Sequence, residues 1–410
     1  MISFRHATVL ACTGENPVDD ATVVVEDGVI KDVLTSATEG ARLSGDVVDC
    51  RGATLMPGLI DAHVHVCALD VDLSRQRREY PTSLMAYAIA REIKLALDQG
   101  FTTIRDAGGA DWGMKEAVDR GLIPGPRMFV SGHPLSQSGG HGDHRTRAEN
   151  DLDCDCGAAI GMFSEVADGV DEVRRAARTQ LRRGADAIKV MAGGGVASLT
   201  DRLESVQYQP DELHAAVAEA QAAGAYVLAH AYTPEAIRSA VESGVRSIEH
   251  GNLLDDATAD LMAAHGSYLV PTFVTYEKLH EHGGERGLTK AQLAKLDLVL
   301  GSGLEGLGKA QRAGVSIGSG SDLLGDLARY KTRELAIKAG VLGAHATLVA
   351  TTRTNAELLG IADEAGTVEV GKRADLLVVD GDPLADISVL QDQNNLLAIV
   401  KAGEPYKCLL

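Results

Sequence analysis

The sequence has few aromatic residues, few positive charges and no long apolar run. Aromatic side chains make up 4% of the 410 residues, and few of them fall where a ligand site is expected, so no aromatic cage identifies a ligand. Lysine and arginine number 39 against 58 acidic residues, which gives a formal net charge of −19. Because nucleic acids and anionic membranes bind clustered cations, we expect neither as a partner, and we expect a small-molecule substrate instead.

We expect no export signal and no membrane-spanning segment, and the cysteines do not form a dense framework. No apolar run reaches the ~18 residues of a membrane helix, and the N-terminal stretch places acidic residues soon after a short apolar run. The six cysteines are scattered, as is typical of proteins from a reducing compartment. We therefore expect a cytoplasmic protein with free thiols, including Cys154 and Cys156 of the DLDCDCG stretch.

What is present is a repeating alternation of short apolar strands and amphipathic helices. Eight segments have strand character: GLIDAHVHV, FTTIRDAG, RMFVSG, AIKVMAGG, YVLAHAY, SIEHGN, YLVPTF and VSIGSGSD. Between them lie helical segments such as PDELHAAVAEAQAAG, which carry apolar residues at three- and four-residue spacing. Repeated strand and helix units favour a parallel sheet. Eight such units predict an α/β fold, a (β/α)₈ TIM barrel, with one long glycine-rich loop after the third strand.

Both ends of the chain have a different pattern. The first fifty residues and the last segment, which includes GTVEVGKRADLLVVDGDPL, alternate short strands with turns at Asp-Gly and Gly. We expect these antiparallel strands to meet in a small β-sandwich beside the barrel. This predicts a discontinuous sandwich domain, residues 1–57 and 366–410, and a barrel domain, residues 58–365.

Side chains that can bind metal lie where five of the predicted barrel strands end. They are His63 and His65 on the first strand, Lys189 on the fourth, His230 on the fifth, His250 on the sixth and Asp322 on the eighth. Reactive groups in such barrels sit at the carboxyl ends of the strands, so all six are expected to face one central site. His63 and His65 are two residues apart and share one face of their strand. A single buried histidine is often structural, but six such positions together indicate a site.

The residue types fit a hydrolytic metal centre. Neutral imidazoles suit Zn²⁺ and related ions, and the carboxylate of Asp322 completes the donor set. Lys189 is the exception, because an ammonium group beside divalent cations would be repelled. Burial and nearby positive charge lower the pKa of a lysine. The neutral amine could then react with CO₂ to form a carbamate, which is an anionic bridging ligand.

The chain resembles the amidohydrolase superfamily, and in particular its metal-dependent dipeptidase and carboxypeptidase branch. The matching motifs are PGLIDAHVHV, SGHPLSQSGGHGDHR, IKVMAGGGVAS, HAYTPEAIRSAVESGVRSIEHG, GSGSD and VGKRADLLVVDGDPL. This resemblance, which covers nearly the whole chain, implies two divalent metal ions, with Zn²⁺ as the expected ion. By that similarity His63, His65 and Asp322 hold one metal and His230 and His250 hold the other. N6-carboxylated Lys189 bridges both.

The same resemblance implies a reaction and further site residues. It predicts hydrolysis of the amide bond of dipeptides or N-acyl amino acids, including ochratoxin-like amides, with release of the C-terminal amino acid. Asp322 would transfer the proton, while His141 and Tyr232 would contact the substrate carbonyl or the tetrahedral oxygen. Arg145, in the same loop as His141, is a candidate for binding the substrate carboxylate. The similar enzymes often form homo-oligomers, and we expect one here.

Two alternatives stay open at this point. An imidazolonepropionase-like cyclic amide hydrolase shares the barrel and the H-x-H pattern, although mononuclear relatives need no bridging lysine. A non-catalytic amidohydrolase-like scaffold would show gaps in the ligand set, and the sequence shows none. A metal count near two per chain would favour the dipeptidase branch.

Overall fold

The computed structural model of the protein describes four stretches of the chain: residues 1–35, 45–145, 160–198 and 200–410. Within them the cysteines are free thiols, as expected: Cys12, Cys50, Cys67 and Cys408. The other two cysteines, Cys154 and Cys156, lie outside the described residues. Among the helices of these four stretches, none is both long and apolar enough to span a membrane.

The strands follow one another in three groups. The first group is β1 (Ile2–Val9), β2 (Val18–Glu26), β3 (Val29–Thr35), β4 (Asp46–Asp49) and β5 (Thr54–Pro57). The second group is β6 (Leu59–Val64), β7 (Phe101–Asp106), β8 (Arg127–Val130), β9 (Leu135–Ser136), β10 (Glu165–Val166), β11 (Ile188–Met191), β12 (Val227–Ala231), β13 (Ser247–His250), β14 (Tyr268–Val270) and β15 (Ser316–Ile317). The last group is β16 (Leu376–Val379), β17 (Leu396–Lys401) and β18 (Glu404–Cys408). Each of the eight predicted barrel segments contains a strand of the second group.

The helices lie mainly between the strands of the second group. They are α1 (Leu73–Glu79), α2 (Thr82–Asp98), α3 (Trp112–Asp119), α4 (Gly169–Arg182), α5 (Pro210–Ala222), α6 (Pro234–Glu242), α7 (Asp256–His265), α8 (Phe273–His282), α9 (Lys290–Ala313), α10 (Arg333–Leu342), α11 (Ala344–Val349) and α12 (Asn355–Leu359). Helix α6 begins where it does because the Thr233 side chain accepts from the amide of Ala236 and Pro234 occupies the first turn. Helix α9 ends at Gly314, whose φ of 76° only glycine adopts readily.

The second group of strands forms the barrel. Strands β11 to β15 pair in parallel in sequence order, and β6, β7 and β8 form a second parallel sheet. Backbone hydrogen bonds join the two sheets at both seams, from the Asp186 amide to Val130 O (2.7 Å) and from the Ala62 amide to Ser319 O (2.9 Å). The ring is therefore closed. The carboxyl ends of its parallel strands meet on one face, where the site is expected.

The chain ends form one sheet in the order β18-β17-β16-β5-β1-β2-β3, with β4 beside β1. The pairing is mixed rather than purely antiparallel, because β4 and β5 reach β1 by a crossover and pair with it in parallel. Alternate residues of β16 face different layers. Leu376 and Val378 belong to the apolar core of the sandwich, whereas Leu377 and Val379 pack in a cluster with the barrel residue Leu59. This period of two places the sandwich against the barrel.

Polar contacts tie the sandwich to the barrel near Asp375. Its carboxylate accepts from Arg127 Nη1 at 2.9 Å, and its carbonyl oxygen accepts from the amide of Gly58 at 2.8 Å. The Lys401 ammonium group donates to Gly125 O at 2.7 Å. The predicted domain limits, at residues 57/58 and 365/366, stay a prediction.

Candidate metal centre and active site

The six predicted metal ligands lie at the carboxyl ends of the barrel strands. Four belong to strands and are buried, with exposures of 0% to 4%: His63, Lys189, His230 and His250. His65 and Asp322 follow β6 and β15 and are half-buried. The first and the last of these residues along the sequence are neighbours in space. The segment after β15 runs beside β6, and the Asp322 amide donates to His63 O at 2.9 Å.

Three side chains converge on one point. The Nε2 atoms of His63 and His65 are 3.3 Å apart. Asp322 Oδ1 lies 3.5 Å from His63 Nε2 and 3.3 Å from His65 Nε2. Two imidazole nitrogens and a carboxylate oxygen that face each other at these distances suit a divalent cation, which binds such donors at about 2.0 to 2.2 Å. The residues present therefore fit the metal that the fold implies.

His250 connects this trio to His230. The ligand atoms of His63, His250 and Asp322 lie within 4.8 Å of one another. The ring centroid of His250 is 4.9 Å from that of His63 and 4.6 Å from that of His230. His250, which the family resemblance assigns to the second metal, is thus within reach of the Asp322 carboxylate as well. The structure brings the predicted histidines into one continuous group.

The outer nitrogen of His63 is held by a buried carboxylate that the sequence did not suggest. His63 Nδ1 lies 2.5 Å from Glu249 Oε2, and the other oxygen of Glu249 accepts from Arg105 Nη2 at 2.7 Å. With its proton on Nδ1, His63 presents the Nε2 lone pair to the centre, and the carboxylate increases its basicity. In the sequence, the only sign of this role was that Glu249 is a charged residue within a predicted strand, directly before His250.

Backbone carbonyls orient two further rings. His65 Nδ1 lies 2.9 Å from Gly108 O, and His230 Nε2 lies 3.1 Å from Gly194 O. Since a carbonyl oxygen can only accept, these ring nitrogens carry the protons. His65 therefore offers Nε2 and His230 offers Nδ1 as the metal-binding atom. These contacts come from loops far away in sequence, which no local pattern predicts.

Two ligands have backbone conformations that non-glycine residues rarely adopt. The φ angle is 76° at His250 and 52° at Asp322, and such positions cost on the order of 1 to 3 kcal/mol and concentrate at functional sites. Gly320 permits the close approach of the segment after β15 to β6, because a Cβ atom there would lie 2.4 Å from His63 Cβ. The fold thus accepts local strain to direct these side chains into the centre.

Burial keeps the histidines neutral. It lowers the pKa of His63, His230 and His250 well below the usual value, and it lowers that of His65 to about 4. The positive charge of Lys189 acts in the same direction on each of them. Neutral imidazoles with free lone pairs are the form that binds metal.

Lys189 and Asp322 are perturbed in opposite senses. Burial lowers the pKa of Lys189 to about 8, although the carboxylates of Glu249 and Asp322 oppose this effect. Burial raises the pKa of Asp322 to about 7, and Lys189 opposes that shift. Both groups are therefore destabilised in their charged forms without a metal. Strongly perturbed groups in a buried cluster are typical of an active site.

His141 lies against the ligand rings. Its ring stacks on that of His230 with centroids 4.3 Å apart and an interplanar angle of 25°. His141 Nδ1 lies 2.9 Å from Ser198 Oγ. Gly195 leaves the space for it, because a Cβ atom at this position would come within 2.0 Å of His141 Cε1. The predicted substrate-contacting histidine is therefore placed beside the centre, on a loop fitted closely around it.

Tyr232 packs against the rings of His230 and His250. It is buried, and its ring stacks on that of His250 with centroids 5.2 Å apart. Its hydroxyl is 2.9 Å from the hydroxyl of Tyr276, a residue that the sequence did not suggest. Tyr276 belongs to the first turn of α8, just after the seventh barrel strand, so its signal was only its proximity to a strand end.

Arg145 is anchored within its own loop. Its Nε donates to Asp143 Oδ1 at 2.8 Å and its Nη2 donates to Asp143 Oδ2 at 2.6 Å. The Asp143 carboxylate also accepts from the amide of Gly139. This bidentate pair holds the guanidinium of Arg145 against the loop that also carries His141. Binding of a substrate carboxylate by Arg145 stays a prediction.

Comparison with known proteins gives this centre its context. Residues 54–405 match the model of the amidohydrolase family. The chain belongs to the amidohydrolase family. Its relatives include the ochratoxinase of Aspergillus niger, which is 31% identical over 99% of this chain and 87% of that protein. Among solved structures, a prolidase complexed with N-methylphosphonate-L-proline matches this amidohydrolase with a TM-score of 0.96 and 42% identity over 99% of both chains.

A Xaa-Pro dipeptidase with methionine bound in its active site is also similar, with a TM-score of 0.87 and 28% identity over 99% of both chains. These similarities confirm the dipeptidase-like branch and the barrel fold. This amidohydrolase is a metal-dependent hydrolase that acts on C–N bonds. The cyclic-amide and scaffold alternatives are not favoured.

Proposed function

We propose that this amidohydrolase hydrolyses the amide bond of dipeptides or N-acyl amino acids and releases the C-terminal amino acid. The observation that carries the proposal is the convergence of Asp322 Oδ1 on the Nε2 atoms of His63 and His65, at 3.5 and 3.3 Å. The similarity to an ochratoxinase and to a Xaa-Pro dipeptidase supports this class of substrate. Ochratoxin-like amides belong to the same class.

The proposed cofactor is a pair of divalent ions, with Zn²⁺ as the expected metal. The proposed ligands are His63, His65 and Asp322 for one ion, His230 and His250 for the other, and Lys189 for both. Bound ions of this kind lower the pKa of a bound water molecule and polarise a carbonyl group. The donor set and the orientation of the outer ring nitrogens of the histidines support this assignment.

Lys189 is proposed as a bridging ligand in its carboxylated form. The Nζ atom would add to the carbon of CO₂ and release a proton, which gives a carbamate with two oxygen donors. Lys189 is 1% exposed and belongs to β11, the neighbour of the strand that carries His230. This position supports a bridge, because an anionic group there would replace the repulsive ammonium charge among the ligands.

Asp322 is proposed to transfer the proton. Its Oδ1 faces His63 and His65, while Oδ2 lies 3.9 Å from His250 Nδ1. The carboxylate would accept a proton from the attacking water and deliver it to the leaving amine. His141, which stacks on the ring of His230, and Tyr232, which stacks on the ring of His250, would donate hydrogen bonds to the oxygen on which negative charge develops.

The experiment uses the metal-depleted protein before and after addition of Zn²⁺. A panel of Xaa-Pro, Xaa-Phe and Xaa-Arg dipeptides and N-acyl amino acids would be assayed for the released C-terminal amino acid, and bound metal would be counted. The expected result is release only after reconstitution, with close to two metals per chain. Hydrolysis of cyclic amides alone, or one metal per chain at full activity, would contradict the proposal.

Location and assembly are separate from the chemistry. We propose a cytoplasmic enzyme that assembles into a homo-oligomer, with no nucleic acid or membrane as partner. The excess of acidic residues supports the last part, because phosphate groups would be repelled. Light scattering of the purified chain would measure the number of subunits.

A further inference from the structure

A chain of hydrogen bonds leads from the ring of His250 to the phenol of Tyr232. His250 Nδ1 lies 2.8 Å from Thr272 Oγ1. Thr272 Oγ1 lies 3.4 Å from the Tyr276 hydroxyl, which lies 2.9 Å from the Tyr232 hydroxyl. All four side chains are buried, with at most 3% exposed. The Tyr232 ring also stacks on the His250 ring. The series of hydrogen bonds therefore starts at His250 and ends at a tyrosine that contacts the same residue.

The hydroxyl of Thr272 does not cap the helix that follows it. Thr272 is the residue immediately before α8, where threonine ordinarily accepts from an amide of the first turn. Its side chain makes no such bond. Instead Glu334, from α10, accepts from the amide of Val274 at 2.5 Å. A carboxylate near a helix N-terminus is favourable, so the helix keeps its cap while Thr272 is free to contact His250 and Tyr276.

With Thr272 donating to Tyr276, one arrangement of the protons gives the hydroxyl protons of both residues an acceptor within this hydrogen-bond network. Each hydroxyl carries a single proton. Thr272 donates to Tyr276, so its contact with His250 requires that His250 Nδ1 donates. Either hydroxyl can donate in the contact between Tyr276 and Tyr232. In the arrangement that gives the Tyr276 proton an acceptor, Tyr276 accepts from Thr272 and donates to the Tyr232 oxygen. The hydroxyl proton of Tyr232 is then left for an acceptor outside the chain, and the Nε2 lone pair of His250 is left for the metal.

We propose that Thr272 and Tyr276 are positioning residues that keep Tyr232 a hydrogen-bond donor to the substrate oxygen, with the donor direction set by His250. The nature of that oxygen, the carbonyl of a scissile amide, rests on the proposed function. A donor whose direction is fixed in advance needs no reorganisation as the negative charge develops. The same chain fixes the tautomer of a metal ligand, so it serves both the metal and the substrate.

The kinetic test is a double-mutant cycle on the reconstituted enzyme. Tyr232→Phe should lower kcat by about 100-fold, as loss of one such donor does. Tyr276→Phe should lower kcat by roughly 10-fold with little change in KM, because it acts only through the orientation of Tyr232. The double variant should then be no slower than Tyr232→Phe alone. Fully additive losses, or wild-type kcat in Tyr276→Phe, would overturn the proposal.

The second arm measures metal binding and needs no substrate. Thr272→Val removes the acceptor of His250 and should weaken metal binding by roughly 10- to 100-fold, whereas Thr272→Ser keeps the hydroxyl and should bind as the wild type does. Tyr276→Phe should leave metal affinity unchanged. The measurement is Zn²⁺ titration against a competing chelator. Equal Zn²⁺ affinities for Thr272→Val and Thr272→Ser would show that the hydrogen bond between Thr272 and His250 does not support metal binding, and would overturn this part of the proposal.

The two arms separate failure of this inference from failure of the proposed function. If no amide were hydrolysed, the proposed function would fail, and the metal affinities of the Thr272 variants would still support or overturn the link to His250. If amides were hydrolysed, the cycle between Tyr232 and Tyr276 would decide the part that concerns the substrate. Thermal unfolding midpoints would show that each variant is folded.

Discussion

The backbone amide of Asp322 donates to the carbonyl oxygen of His63 at a distance of 2.9 Å. This bond belongs to the seam where the eighth barrel strand meets the first, and it holds two predicted metal ligands from opposite ends of the barrel sequence side by side. Their side chains also meet, with Asp322 Oδ1 3.5 Å from His63 Nε2. The contact that closes the barrel at this seam therefore also brings these two predicted ligands together.

Replacement of the proton-transfer group should stop turnover. Asp322→Asn should lower kcat by roughly 10² to 10⁴-fold, because the amide cannot exchange the proton, while most of the bound metal is retained by the other ligands. Asparagine tolerates the left-handed backbone at this position, so the fold should survive. Release of the amino acid and the metal content would be measured on the same sample. Near-normal hydrolysis would show that another group transfers the proton.

A matched control for this variant is Asp171→Asn. The side chain of Asp171 is 99% exposed, so removal of its charge should leave kcat and metal content unchanged. The comparison separates the effect of the Asp322 carboxylate from a general effect of charge removal.

The buried carboxylate behind His63 should affect metal binding and stability together. Glu249→Gln removes the charge that pairs with Arg105 at 2.7 Å and the strong acceptor at His63 Nδ1. We expect metal affinity to fall about 10-fold or more. We also expect the free energy of unfolding of the metal-depleted protein to fall by about 3 kcal/mol, because a buried guanidinium is left unpaired. Chelator titration and urea unfolding would measure both.

Glu116→Gln is the control for the ion pair. Glu116 pairs with Arg120 at 2.7 Å, but the Arg120 side chain is 66% exposed. An exposed pair of this kind contributes about 0.2 to 1 kcal/mol. If the two variants lost equal stability, the buried pair of Glu249 would have no special role.

The space left by Gly195 should control the position of His141. In Gly195→Ala the new methyl group would overlap the ring of His141, so the ring must move. We expect kcat to fall by about 10-fold or more, approaching the loss in His141→Ala, while metal content stays at the wild-type value. Gly301→Ala in α9 is the matched control, because nothing lies within 4 Å of its added Cβ. Wild-type kcat in Gly195→Ala would mean that His141 is not fixed by this contact.

Arg145 should discriminate between substrates with and without a free carboxylate. In Arg145→Ala the value of kcat/KM for a dipeptide should fall roughly 10- to 100-fold, as expected for loss of a charged hydrogen bond. The same dipeptide with an amidated C-terminus should be affected much less. Arg145→Lys should restore little, because lysine lacks the planar fork. Equal losses on both substrates would assign Arg145 to the loop alone, through its pair with Asp143.

The sequence predicted the barrel and the order of its ligands because both depend on local patterns. Short apolar strands alternate with amphipathic helices, and a histidine, lysine or aspartate stands where the strand pattern ends. The mixed pairing in the sandwich differed from expectation, since β4 and β5 reach β1 through a crossover that strand alternation does not encode. Glu249, Thr272 and Tyr276 were missed because charged or hydroxyl side chains near strand ends carry no distinctive spacing.

By itself, the sequence determined which residues could bind metal and at which end of the barrel they would lie, since strand period and strand order place them there. Only the tertiary structure decided which nitrogen of each ring faces the centre. That choice depends on acceptors such as Glu249, Gly108 and Thr272, which come from other strands and loops. A hydrogen-bond partner dictates the position of a proton, and the partner is known only when distant segments are packed together.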